Sequence, residues 1–262
     1  MFKRRLTLSF LVVFLVLSGA VLFVKSKYVV PIIMYHSVTF EDPGNNRLAV
    51  SARTFDRQME FLKKHHYNVV TIAELADLIK NKKRIPAKTI AITLDDGYKN
   101  NYTYAFPILK KYGIKATAFI IIQEVGRAEN DRLDWEEIGE MKESGLVLFG
   151  SHTIGPEPLV KIKSEAEVKR QIFESKAMLE ERLKERVEVL SYPEGMFDQK
   201  IRQLVIDAGY KSAVATNPGK HYPDNDIFAL KRLRISENAA NLFVFWVETS
   251  GFYTFMKEHR KK

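Results

Sequence analysis

Cysteine is absent from the chain. That excludes a disulfide framework and any thiolate-bound metal, so a metal site has to be assembled from His, Asp or Glu. Internal repeats, low-complexity linkers and the motifs of nucleic-acid readers are missing as well. The formal charge of +9 does not replace such a motif. Five of the 41 basic residues, Lys3, Arg4, Arg5, Lys25 and Lys27, fall in Met1–Lys27, a segment without an acidic residue. The remainder holds 36 basic residues against 32 acidic ones, a balance that suits a solvated surface and excludes nucleic acid as the expected partner.

One uncharged stretch, Leu6–Val24, is flanked by basic residues on both sides. At 1.5 Å per residue its 19 residues span roughly 28 Å, close to the hydrocarbon thickness of a bilayer. The small residues Ser18, Gly19 and Ala20 allow a cleaved signal peptide. The apolar run continues past them through Val21–Val24, which favours an uncleaved signal-anchor over residues 1–27. Basic residues ahead of the run stay cytoplasmic, so residues 28–262 are expected outside the cytoplasm, as one domain held to the membrane by this helix.

The chain is 46% apolar overall, and beyond Lys27 it alternates short apolar runs with amphipathic ones. Val30–Tyr35, Thr89–Leu94, Ala116–Ile122, Leu146–Gly150, Val187–Ser191, Ser212–Ala215 and Leu230–Ile235 read as strands. Phe55–Lys64, Tyr102–Tyr112, Trp135–Ser144, Ala166–Leu183 and Ile201–Ala208 read as helices between them. That order predicts an α/β fold with a largely parallel sheet and helices outside it. Runs such as Ile120–Ile122 are apolar at successive positions, which suits strands buried on both faces. Leu242–Trp246 is expected to be a packing helix.

Two strand ends carry chemistry. Ile90–Leu94 runs into Asp95, Asp96 and Gly97, and Leu146–Gly150 runs into Ser151, His152 and Thr153. In parallel barrels the carboxyl ends of the strands form the rim where ligands bind. There one carboxylate can hold a metal while its neighbour stays free as a base, although Asp also caps helices. Histidine is a common metal ligand and a base near neutrality.

Thr93–Tyr98, Pro31–Ser37, Leu133-Asp134-Trp135, Gly145–Thr153, Tyr192–Gly195 and Leu230-Lys231-Arg232 occur in the order and spacing of the polysaccharide deacetylase motifs. This NodB-homology group is also called carbohydrate esterase family four. The chain resembles its exopolysaccharide N-deacetylase branch from Pro31 to about Ile235. The resemblance implies a distorted (β/α) barrel of about seven parallel strands. It implies that Asp95 is the general base and that Asp96 and His152 hold a divalent metal, zinc in most members. It further implies main-chain donors near Pro193 and Gly195 for the oxyanion. Tyr98, Trp135 and Tyr192 become candidate substrate-contacting residues, Trp135 as a wall for the acetyl methyl group or else as a core residue.

The resemblance breaks at defined positions. Ser151–Leu159 follows the family's S-H-T-x-x-H-P-x-L pattern except that Pro156 stands where the second metal histidine belongs and Glu157 where the proline belongs. Glu157, one residue on, is the remaining candidate ligand there. Ser191 replaces a frequent arginine and Glu194 an aromatic residue. No histidine occurs between Leu230 and Ile235, so His36 and His221 are left as candidate proton donors, while His65, His66 and His259 belong to helix ends. Two functions follow: hydrolysis of N-acetyl groups on N-acetylhexosamine units of an extracytoplasmic polysaccharide, or glycan binding and scaffolding by a catalytically degenerate member.

Overall fold

The computed structural model describes residues 28–127, 131–216 and 223–259, together with 18–19 and 129. His221 and, apart from Ser18 and Gly19, the Leu6–Val24 run lie outside the described residues. Among the described residues no helix is long and apolar enough to cross a membrane.

The strands in chain order are β1 (Ile32–Tyr35), β2 (Ser37–Thr39), β3 (Ala49–Ser51), β4 (Asn68–Val70), β5 (Thr89–Leu94), β6 (Ala116–Ile120), β7 (Val147–Ser151), β8 (Val189–Ser191), β9 (Ser212–Ala215), β10 (Leu230–Lys231) and β11 (Leu233–Arg234). The helices are α1 (Ala52–Lys64), α2 (Ile72–Lys80), α3 (Phe106–Tyr112), α4 (Trp135–Glu143), α5 (Glu165–Leu183), α6 (Gln199–Asp207), α7 (Leu242–Glu248) and α8 (Tyr253–His259). Every ladder between these strands is parallel. The main sheet runs β10-β9-β8-β7-β6-β5-β1-β11, and β2 and β3 form a separate pair.

The two ends of that order are one stretch of chain. β10 pairs with β9, β11 pairs with β1, and a single residue, Arg232, separates them. Arg232 N–H donates to Ala215 O at 3.0 Å, and Ile235 N–H donates to Met34 O at 2.9 Å. Residues 230–235 thus cross from one edge of the sheet to the other and close it into a distorted barrel. The expected unbroken strand Leu230–Ile235 is split because it changes partners midway. A second distortion is at β5, whose first half pairs with β4 and whose second half pairs with β6. The β4–α2 unit was not expected, since a three-residue strand with two half-exposed positions leaves almost no periodicity to read.

Strand alternation places the functional side chains. Ile90, Ile92 and Leu94 join the outer core against the helices, whereas Ala91 joins the inner core with Ile32, Phe119, Val189, Val214 and Leu230. Successive strand residues face opposite ways, so Thr93 and Asp95 follow Ala91 inward and Arg232 follows Leu230. The same rule sends Val147 and Phe149 outward and His152 inward. Beneath His152, Gly150 has no room for a Cβ, which would come within 2.7 Å of the Phe119 ring and 2.6 Å of Val189. This residue is glycine because the inner layer is already full there.

Candidate active site

At the carboxyl end of the barrel a cleft of about 410 Å³ opens between the turns that leave β1, β5, β7, β8 and β11. His36, Asp95, Asp96, His152, Tyr192 and Pro193 line it, together with Pro156, Glu194, Arg232 and Arg234. Two strand ends remote along the chain therefore meet. His152 Nε2 lies 3.4 Å from Asp96 Oδ1 and 3.8 Å from Asp95 Oδ2. A larger hollow of about 830 Å³ around Asn68, Asp77 and Lys211 shares none of these residues.

Three of the turns carry a non-glycine residue in the left-handed region: Asp96 (φ 68°), Thr153 (φ 67°) and Glu194 (φ 54°). Such a conformation costs roughly 1–2 kcal/mol for an L-residue and concentrates at functional sites. The polar network sustains it. Thr153 N–H donates to Ser151 Oγ at 3.1 Å, and its hydroxyl donates to Gly155 O at 2.7 Å. From α5, Gln171 Oε1 accepts from the N–H groups of both Ile154 and Gly155.

Asp95 is 2% exposed and ion-paired: Arg232 Nη1 donates to its Oδ1 at 2.6 Å. The same guanidinium donates to Thr93 Oγ1 at 3.2 Å and to Ser191 Oγ at 2.8 Å, and it lies 5.5 Å from the centre of the Phe119 ring. The sequence places Arg232 in a matching motif but gives it no role. The available signal is the set of basic residues inside the Leu230–Ile235 strand run, together with the loss of arginine at Ser191. The closing strand supplies the guanidinium, and the small Ser191 side chain both makes room for it and accepts from it.

His152 is held from behind: Nδ1 donates to Ser191 O at 2.8 Å, which turns Nε2 toward the carboxylates. Burial pulls its pKa down, but the Asp96 hydrogen bond and the charges of Asp95 and Asp96 prevail, leaving it above the ordinary imidazole value. For Asp96, burial pushes upward and the contact with His152 outweighs it, giving a pKa of about 2. His36 moves the other way. Burial lowers its pKa more than Asp95 and Asp96 raise it. Its Nδ1 is buried without a hydrogen-bond partner, which leaves Nε2 as the nitrogen able to meet a ligand.

Other candidates lie elsewhere. Glu157 is exposed and does not line the cleft. Trp135 opens α4 with the Arg182 guanidinium 5.3 Å from its ring centre, and Tyr98 stacks with Arg132 at 4.0 Å; neither lines the cleft. Tyr192 does line it, with its ring stacked on Phe197 at 4.3 Å and its hydroxyl bonded to Phe228 O. Pro193 carries no N–H, and the Gly195 N–H is bonded to Tyr192 O at 2.8 Å. Among the described residues this leaves Glu194 N–H as the donor of that turn without a main-chain partner. Gly195 serves instead by close approach, since a Cβ there would fall 2.3 Å from Thr216 N.

A tetrahedral metal with bonds near 2.0–2.1 Å holds its ligands roughly 3.4 Å apart, which is the Asp96–His152 separation. The third corner is not provided. Pro156 lines the cleft where the family's histidine belongs, and no cluster of three His, Cys, Asp or Glu residues among the described residues can hold a metal ion. The residues present therefore do not fit a three-ligand metal site.

Residues 82–213 match the family model for polysaccharide deacetylases. YxkH of Bacillus subtilis (strain 168), named as a polysaccharide deacetylase, is 32% identical over 206 residues, 79% of this chain and 71% of its own length. The poly-β-1,6-N-acetyl-D-glucosamine N-deacetylase of Staphylococcus aureus (strain MRSA252) is 30% identical over 201 residues, covering 73% of this chain and 69% of that protein. Among solved structures, the Streptococcus pyogenes deacetylase PplD in complex with acetate superposes with a TM-score of 0.74 at 26% identity, over 89% of this chain and 99% of PplD. IcaB from Ammonifex degensii shares the fold at the same TM-score, with 24% identity over 84% of this chain and 97% of that one. The family generally depends on a divalent metal, and the two-donor cleft departs from that family pattern. On motif order, barrel topology and these similarities together, the chain belongs to the polysaccharide deacetylase family.

Proposed function

We propose that this protein removes N-acetyl groups from N-acetylhexosamine units of an extracytoplasmic polysaccharide, held at the membrane by Leu6–Val24. The observation that carries the reading is the cleft in which Asp95, fixed by Arg232, faces His152, Asp96 and His36. Asp95 takes a proton from water as its oxygen bonds to the amide carbon. Glu194 N–H, the donor of the 193–195 turn without a main-chain partner, is available to the oxygen that gains charge, a role in which such donors are most effective. The C–N bond then breaks, and the leaving nitrogen takes a proton from His36 Nε2. The products are acetate and a free amine on the sugar. The similarity to a poly-N-acetylglucosamine deacetylase and to a deacetylase crystallised with acetate supports this substrate class.

Pro156 favours a second reading, glycan binding or scaffolding without turnover, because among the described residues zinc or another divalent ion finds only Asp96 and His152 placed as donors. Acetate release from poly-N-acetylglucosamine oligomers, measured with metal content by mass spectrometry, separates the two. Hydrolysis predicts acetate release that Asp95→Asn reduces by about 10²-fold or more, the scale of general base catalysis. Glycan binding without acetate or metal supports the degenerate reading.

A further inference from the structure

Between the Asp95-Asp96 turn and α3 the chain makes one π-helical turn, Asn101–Ala105. A π turn inserts a residue into helical spacing, re-aims the side chains at its start, and is frequent at functional sites. Here it aims two consecutive asparagines at the segment that leaves β1. Asn100 Nδ2 donates to Ser37 Oγ at 2.7 Å, and its Oδ1 accepts from Val38 N–H at 3.2 Å. Asn101, 1% exposed, donates from Nδ2 to His36 O at 2.9 Å. That carbonyl can only accept, which fixes the amide's orientation and turns Oδ1 away from it.

Seven buried side-chain atoms among the described residues lack a hydrogen-bond partner. Two of them, Asn101 Oδ1 and His36 Nδ1, belong to the residues joined by that bond. They are complementary, because a carbonyl oxygen accepts what a protonated imidazole offers at Nδ1. A buried polar pair left unsatisfied costs about 1–3 kcal/mol per group, so its persistence calls for a use.

We propose that Asn101 is a positioning residue for proton delivery by His36. Its Nδ2 pins the His36 main chain, and its Oδ1 is the acceptor for Nδ1–H when the ring is protonated, which leaves Nε2–H directed at the leaving nitrogen. This rests on the reading of His36 as the proton donor. It extends that reading by assigning the side chain that makes the imidazole's orientation depend on its protonation state.

The test compares two leaving groups in the full chain. An N-acetylglucosamine oligomer leaves as an amine and needs the proton; 4-nitrophenyl acetate leaves as a stabilised phenolate and does not. Asn101→Ala should lower the amide-to-ester ratio of kcat about tenfold, part of the 10²–10⁴ that an acid supplies. In a His36→Ala background it should lower the ratio further by less than about twofold, since groups acting as one unit are not additive. If Asn101→Ala does not fold, Asn101→Asp replaces it; this variant keeps an acceptor for Nδ1–H and should raise the pH at which amide turnover declines. Equal loss on both substrates, or full additivity with His36→Ala, overturns the proposal while leaving His36 as the donor. An unchanged amide-to-ester ratio in His36→Ala alone, or no acetate release by the parent chain, sinks the donor reading and this inference with it.

Discussion

The turns after β5 and β7 are built alike and equipped differently. Both leave the barrel through a non-glycine residue near φ 68°, and both present an inward-facing residue to the same cleft. After β5, Asp95 finds Arg232 and Ser191, and Asp96 finds His152. After β7, the main chain is held just as firmly, by Thr153 and by Gln171 from α5, yet the residue that should complete the ligand set is Pro156. None of the bonds that shape residues 153–155 involves the side chain at 156. A ligand can therefore be lost from this loop without loss of the loop.

The largest effect is expected where the first turn is broken. Arg232→Met leaves Asp95 buried without its guanidinium partner, and removing one partner of a buried pair destabilises by about 3–5 kcal/mol. Urea unfolding should show that loss, and the double variant Arg232→Met with Asp95→Asn should recover part of it because the stranded charge is gone. A loss below about 1 kcal/mol, the range of exposed pairs, would mean that Asp95 is solvated in the protein and that the contrast between the turns has been overdrawn.

The second turn can be repaired. With the main chain of 153–155 preformed, Pro156→His should raise zinc affinity about 10–100-fold, the scale on which even supporting interactions tune a metal site. Isothermal titration on the full chain reads this directly. A folded variant with unchanged affinity would show that position 156 does not correspond to the family's ligand, and that the loop has a different register from the one its motif suggests.

Much of this was legible in the chain, and the failures share a cause. Thr89–Leu94 and Ser212–Ala215 form strands over the expected bounds, because runs buried on both faces leave no other period to adopt. Asp95, Asp96, His152 and His36 converge because strand order and alternation fix which way each strand end points. Spacing says nothing of a residue's partner in a neighbouring element. Arg232 could be counted in a motif but not matched to Asp95, 137 positions away. Gly195 could be placed at the rim, but not its N–H, which the turn itself uses. Tyr102–Tyr112 reads as one helix, while a π turn occupies its start and re-aims Asn101.

Glu248, at the end of α7, calibrates what Arg232 does for Asp95, since it is a partly buried carboxylate without such a partner. Its Oε2 lacks a hydrogen bond, and burial, opposed only by the charge of Lys257, pushes its pKa from 4.5 to about 7. Over that interval the folded protein keeps a proton that the unfolded chain has released. Stability therefore falls as pH rises from about 4.5 to 7, and the contribution is absent above it. The full shift corresponds to about 3 kcal/mol, which partial exposure reduces to about 1–2 kcal/mol. Glu248→Gln should thus stabilise the protein by about that amount at pH 8 and change little at pH 4, as read by urea unfolding at the two values. Equal stabilisation at both pH values would trace the effect to packing, and Glu248 would then say nothing about a carboxylate left without its cation.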